Sequence, residues 1–160
     1  MRGREIGLAL QDTGSALNPT FTVGDQLRET IRTHDGRARE GGGDRAAGLL
    51  ARVGIPDPAR CVDAYPHQLS GGLRLRVVVA LALAGDPALP IADEPTTGLD
   101  ATTQTHVVEL LRTLVRTEGL ALLLITHDLR VARQCADRVA VMYAVRSSMR
   151  RRQTRCWMPL

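Results

Sequence analysis

Apolar residues recur along this chain with two different periods, and the change between them marks its organisation. Residues 6–10 form a short apolar run and predict a strand. Gln11, Asp12, Gly14 and the Asn18–Pro19 pair follow as loop. Val23, Leu27 and Ile31 then recur at helical spacing, which predicts a helix over 23–33. Residues 35–44 are rich in glycine and charge and read as a flexible connection. Residues 46–53 are helical, with Gly54 as the stop. Asp57–Pro58 opens another short helix, because Asp caps well and Pro suits the first helical position. Ser70 is a third N-cap, before a helix from Gly71 to about Ala84. That helix is apolar almost all round, so it belongs inside the protein.

From residue 87 onward strands alternate with helices. Residues 89–92 predict a strand that runs into Asp93–Glu94–Pro95. Asp100 caps a helix whose apolar face is Val107, Leu110, Leu111 and Leu114, and Gly119 ends it. Residues 121–126 are continuously aliphatic, as for a strand covered on both faces. Residues 128–136 predict a helix and residues 138–143 a strand. This alternation predicts an α/β fold with a parallel sheet. The helix-only stretch from about residue 20 to 84 reads as a separate helical subdomain. Pro90 fits badly, since proline cannot donate a ladder hydrogen bond and is rare in a central strand.

Composition narrows the picture. A chain of 160 residues suits one domain and hides roughly two-thirds of its unfolded surface. Aromatics make up 2 % of it, so the core is aliphatic. No apolar run approaches the ~20 residues of a membrane span, and the first residues carry no apolar secretory core. The expectation is a soluble chain with at most peripheral membrane contact. Cys61, Cys135 and Cys156 match no metal or disulfide spacing and suit a reducing compartment. The net charge of +4 comes from Arg146, Arg150, Arg151, Arg152 and Arg155. All 21 basic residues are arginine; the sequence holds no lysine.

Four groups of residues carry chemistry. Asp93 and Glu94 end a strand, at the edge of a parallel sheet where ligands of open α/β folds bind. In phosphoryl transfer one such acid holds Mg²⁺ and its neighbour positions the attacking water. Taken alone, the pair equally fits a turn cap. Ser70, Gly71 and Gly72 open a helix, where glycines let a phosphate approach the backbone N–H groups; an ordinary serine cap fits as well. His127 follows the aliphatic strand and reaches a γ-phosphate or a water in one reading, and is structural in the other. Gln11 follows the first strand and offers an amide to a metal or a water.

The order of these residues is more telling than any one of them. Gln11, then LSGG at 69–72, then Asp93–Glu94, then Asp100, then Thr126–His127–Asp128 resembles the motif order of ABC-type ATPases. In that resemblance Gln11 is the Q-loop residue, residues 69–73 the signature, 89–94 the Walker B strand, 98–100 the D-loop and His127 the switch histidine. ALNP at 16–19, AYPHQLSGG at 64–72, ADEPTTGLD at 92–100 and LLLITHDL at 122–129 resemble the ATP-binding subunits of dipeptide, oligopeptide and nickel importers. The resemblance implies a partial P-loop NTPase-like sheet over residues 1–144. Its helical subdomain spans about 20–84, and residues 85–144 carry Walker B, the D-loop and the H-loop. Residues 145–160 are expected to be a divergent, disordered Arg-rich tail.

The resemblance also implies roles. Glu94 and His127 are catalytic, Gln11, Ser70, Gly71, Gly72 and Asp100 serve the nucleotide, and Asp93 and Gln11 serve the metal. The cofactors are ATP and Mg²⁺. The partners are a second ATPase subunit in a head-to-tail dimer and transmembrane permease subunits, on the cytoplasmic face of the membrane. No nucleic acid is expected. Three departures stand out. Gln11 lies ten residues from Met1, and without a lysine there is no Walker A loop, G-x-x-x-x-G-K-[ST]. Leu75 stands where relatives carry a polar residue, and Pro90 interrupts Walker B. The leading expectation is therefore a truncated importer subunit that is inactive alone, with one sheet face bare and apolar. The alternatives are a partner that donates its signature in trans and a nucleic-acid-binding module built on the Arg tail.

Overall fold

The computed structural model describes residues 5–9, 16–35, 42–144 and 146–152. The chain forms two compact units, Met1–Ile125 and Thr126–Leu160.

The first unit is built on a parallel sheet of β1 (Ile6–Ala9), β2 (Leu89–Asp93) and β3 (Leu123–Ile125), in the order β1-β2-β3. Between β1 and β2 run α1 (Val23–Asp35), α2 (Gly42–Arg52), α3 (Pro58–Asp63), a 3₁₀ turn at Pro66–Gln68 and α4 (Gly71–Leu83). Between β2 and β3 runs α5 (Ala101–Glu118).

Local chemistry sets these boundaries. The Thr22 hydroxyl accepts from the Asp25 N–H at 3.1 Å and donates to the Asp25 carboxylate at 2.7 Å, closing the first turn of α1 at both ends. Behind this cap, Val23, Leu27 and Ile31 are completely buried, the stripe their spacing predicts. Each is worth about 1.5–3 kcal/mol of apolar burial. Asp57 accepts from the Arg60 N–H at 3.1 Å and starts α3. Gly54, at φ 72°, turns the chain out of α2. Arg76 then donates to the Val53 and Gly54 carbonyls at 2.8 and 3.0 Å, so a cation from α4 satisfies the end of α2. Helix α4 buries Leu75, Val77, Val78, Val79, Ala80 and Leu83, which leaves it little polar face.

Arg52 reaches Glu118 at the end of α5 and Asp86 after α4, and Arg45 also reaches Asp86. The bonds to Glu118, its chief partner, hold the Arg52 guanidinium more firmly protonated than usual. These partly exposed pairs tie three elements together, each worth at most about 1 kcal/mol.

Register fixes which side chains share a sheet face. Gly7 lies beside Pro90, and Ala9, Ala92 and Leu124 form one row. This face is covered: Gly7, Ala9, Pro90 and Ala92 are buried. A Cβ on Gly7 would stand 2.1 Å from the Ala82 carbonyl oxygen, so α4 rests on the backbone of β1 itself. The opposite face carries Ile6, Leu8, Leu89, Ile91, Leu123 and Ile125, none of them buried.

Several expectations change here. Strand β3 covers three residues rather than six, and it is not enclosed: Leu123 and Ile125 are 47 % and 45 % exposed. Among the described residues it is an outer strand of its sheet, and α4 lies on one face of that sheet. The flexible connection gives way to helix at Gly42, two residues before its expected end. Pro90 does sit in the central strand. The Leu89 N–H donates to Glu5 in the β1 direction and the Glu94 N–H to Ile125 in the β3 direction. By alternation the Pro90 nitrogen faces β3, but pairing with β3 begins only at Ile91–Leu123. The proline therefore forfeits no ladder bond. Leu75 is no flaw either, because it packs with Val107 and Leu111 between α4 and α5.

The second unit contains α6 (Leu129–Cys135), β4 (Arg138–Tyr143) and β5 (Arg146–Arg152). Asp128 caps α6 by accepting from the Arg130 N–H at 2.8 Å. Strand β4 has its described partner within its own unit. It pairs antiparallel with β5, from Arg138–Arg152 to Tyr143–Arg146, with an irregularity between Val141 and Met142. Residues 146–152, expected to be disordered, are therefore a strand. A hairpin closes a very short loop at low entropic cost, and Ala144 at φ 47° helps turn it.

Candidate functional site

Strand β2 delivers Asp93 and Glu94 to the carboxyl edge of the sheet. Asp93 is the last residue of the strand, paired with Ile125 and half-buried. Glu94 leaves the strand at φ 49°, a left-handed conformation that costs a residue with a Cβ about 1–2 kcal/mol. Three bonds hold it there. Its N–H donates to the Ile125 carbonyl at 2.9 Å, and its carbonyl accepts from the Thr97 N–H at 3.2 Å. Its carboxylate accepts from the Thr97 hydroxyl at 3.0 Å. Pro95 and Thr96 are buried beneath this turn.

The chain then passes Gly98, at φ 75°, and reaches Asp100. One Asp100 oxygen accepts from the N–H groups of Thr102 and Thr103 at 3.1 and 3.0 Å. The other accepts from the Thr103 hydroxyl at 2.6 Å. These donors, the Thr103 hydroxyl foremost, hold the Asp100 carboxyl below the usual carboxylate range.

The LSGG turn is a second centre. Ser70 is exposed and extended, and its hydroxyl oxygen accepts from the Leu73 N–H at 3.3 Å. The helix it opens is thirteen residues long. Its N-terminal end therefore carries about half a positive charge. The two glycines differ. A Cβ on Gly71 would meet nothing within 4 Å, whereas a Cβ on Gly72 would stand 2.9 Å from the Thr103 methyl. Gly72 is explained by packing inside the chain; Gly71 is not.

The first unit thus holds Asp93 and Glu94 at the sheet edge, and it joins Asp100 to Gly72 through Thr103. His127 belongs to the second unit, one residue before the cap of α6. Gln11 lies outside the described residues. Among the described residues no three His, Cys, Asp or Glu side chains gather as a cation-binding group. Sequence reading passed over Thr97 and Thr103, which hold the two acids. A signal existed for both: each threonine follows its acid by three residues, the spacing of a side-chain cap.

Comparison with known proteins adds the family. Residues 1–97 match the sequence profile of ABC transporters. The chain belongs to the ABC transporter family. Among curated ABC proteins, it is 50 % identical over 142 residues to the dipeptide transport ATP-binding protein DppD of Escherichia coli strain K12, covering 89 % of this chain and 43 % of that one. It is 49 % identical over 144 residues to the oligopeptide transport ATP-binding protein OppD of Bacillus subtilis strain 168, covering 90 % and 40 % respectively. A solved dimeric ATP-binding cassette, in a post-hydrolysis state with ADP and Pi, superposes with a TM-score of 0.76 at 28 % identity. That match covers 94 % of this chain and 63 % of the other. The chain spans about 43 % of the length of the first curated relatives it matches.

Proposed function

We propose that these residues are part of the ATP-binding subunit of a peptide importer, where ATP hydrolysis drives uptake of dipeptides or oligopeptides. The observation that carries the reading is the LSGG turn. Ser70 opens a buried helix whose N-terminal end is positive, and Gly71 leaves open space where a side chain would stand. Among the described residues nothing lies within 4 Å of a Cβ placed there, which leaves room for an approaching phosphate. Identity of 49–50 % to dipeptide transport ATP-binding proteins supports the substrate class.

In this reading Ser70, Gly71 and Gly72 face the nucleotide of a second ATP-binding subunit, arranged head to tail. Asp93, at the carboxyl edge of the sheet, fits a hydrated Mg²⁺, and Gln11 serves the same ion. Bound there, the ion neutralises charge on the transferring phosphoryl group. Glu94 orients the attacking water, His127 acts as the switch histidine, and Asp100 serves the nucleotide. Permease subunits complete the transporter, with this subunit on the cytoplasmic face of the membrane. No helix among the described residues is long and apolar enough to cross one. The phosphate-binding lysine of the family is not among these 160 residues. The 160-residue chain alone accordingly binds nucleotide weakly and does not turn it over.

The test is ATP-dependent association of this chain with an intact dipeptide transport ATP-binding subunit, followed by sedimentation. The reading expects association that requires ATP and that Ser70→Arg abolishes by bulk. Association that ignores ATP, or that survives Ser70→Arg unchanged, overturns it.

A further inference from the structure

Thr103 lies half-buried in the first turn of α5 and faces two ways. Its hydroxyl donates to the Asp100 carboxylate at 2.6 Å, and its backbone N–H reaches the other carboxylate oxygen at 3.0 Å. Its methyl sits over Gly72, so near that a Cβ on Gly72 would come within 2.9 Å. One side chain therefore touches the loop that Asp100 closes and the first turn of α4. Both branches hang on the same Cβ, so a single χ1 angle places them together. Rotation that lifts the methyl from Gly72 also pulls the hydroxyl from Asp100.

We propose that Thr103 is a positioning residue that couples the Asp100 loop to the phosphate-facing end of α4. The inference rests on the reading of Ser70–Gly72 as that end. Its local geometry has three consequences. Any displacement of the Asp100 carboxylate is passed to Gly72 through one methyl group. Gly71, where a Cβ would meet nothing within 4 Å, moves with Gly72 rather than against a neighbour. The glycine at 72 is then required by this coupling, and the glycine at 71 by what approaches from outside.

The experiment uses the same association assay together with amide NMR of the chain alone. Gly72→Ala forces the new Cβ against the Thr103 methyl and weakens ATP-dependent association about tenfold, within the range of coupling between touching residues. Thr103→Ser keeps the hydroxyl and removes the methyl, so the Gly72→Ala/Thr103→Ser double variant regains most of the loss. A need for glycine at 72 that does not involve the Thr103 methyl predicts no such rescue. Thr103→Val keeps the shape and removes the hydroxyl. It is expected to shift the amide resonances of Gly71 and Gly72 as well as that of Thr102. Equal damage from Gly72→Ala in both Thr103 backgrounds overturns the proposal, as do Gly71 and Gly72 resonances unmoved by Thr103→Val. If the wild-type chain shows no ATP-dependent association, the reading of Ser70–Gly72 as nucleotide-facing fails, and the amide shifts still decide the role of Thr103.

Discussion

The two faces of the β1-β2-β3 sheet are built from different residues. The face under α4 carries Gly7 and Ala9 of β1 and Pro90 and Ala92 of β2, all small and all buried, with Leu124 of β3 half-buried beside them. The other presents Ile6, Leu8, Leu89, Ile91, Leu123 and Ile125, all large and none buried. On β1 and β2 hydrophobicity alone does not separate the two faces; size does. Where a helix lies on the sheet backbone, bulk is excluded, and Gly7 against the Ala82 carbonyl is the extreme case. On the other face bulky side chains stand partly in water, an aggregation liability.

The contrast breaks most sharply at Gly7. Gly7→Val drives a side chain into backbone that cannot move aside, lifting α4 from β1. A loss of about 3 kcal/mol or more is expected in urea melts. Next comes the helix that does the covering. Leu83 is buried to 2 % exposure, and Leu83→Ala removes packing worth about 2–5 kcal/mol in the same measurement. On the other face the sign of the interesting effect changes. Leu123→Gln is expected to cost no more than about 0.5 kcal/mol while lowering dye binding and aggregation, because the leucine is already 47 % exposed. A large loss of stability there would mean the two faces are equally covered.

The smallest effect is electrostatic and acts on the cap of α5. The Asp100 carboxyl is held below its ordinary value, chiefly by the Thr103 hydroxyl. A carboxyl depressed in the folded state adds stability above its unfolded value, and that contribution disappears as pH falls through the folded one. Stability is thus expected to decline below about pH 4. Thr103→Val should make that decline shallower, because the folded and unfolded values then lie closer. Urea melts from neutral to acid pH give both slopes.

Much of the first unit was legible in the sequence because its signals are local. Ser70, Asp100 and Asp57 cap the helices they were expected to cap, and the Val23–Leu27–Ile31 stripe is buried as its period requires. Partnership was harder to read. An aliphatic run at 121–126 says strand, but not that its last residues lie at the margin of a sheet with one open face. The strand at 138–143 says nothing of whether its neighbour is parallel β3 or the antiparallel β5. Pro90 and Leu75 looked like errors only while their surroundings were unknown: one faces a gap in the ladder, the other an apolar cluster between two helices. In the candidate site the acids were evident from their order. The threonines that hold them were not, since a hydroxyl gains meaning only when its acceptor is within reach.

Pro90 has one further effect, on the direction in which β2 and β3 can zip. Without an amide hydrogen facing β3, the ladder cannot lengthen toward the start of β2, and a two-residue slip of β3 that way would leave a carbonyl without its donor. Growth is possible only toward the other end, where the Glu94 amide already closes on Ile125. The proline thus acts as a one-way stop. It concentrates the order of this strand pair at the end that carries the two acids, and the Glu94 amide should exchange its hydrogen more slowly than that of Ala121 or Leu122.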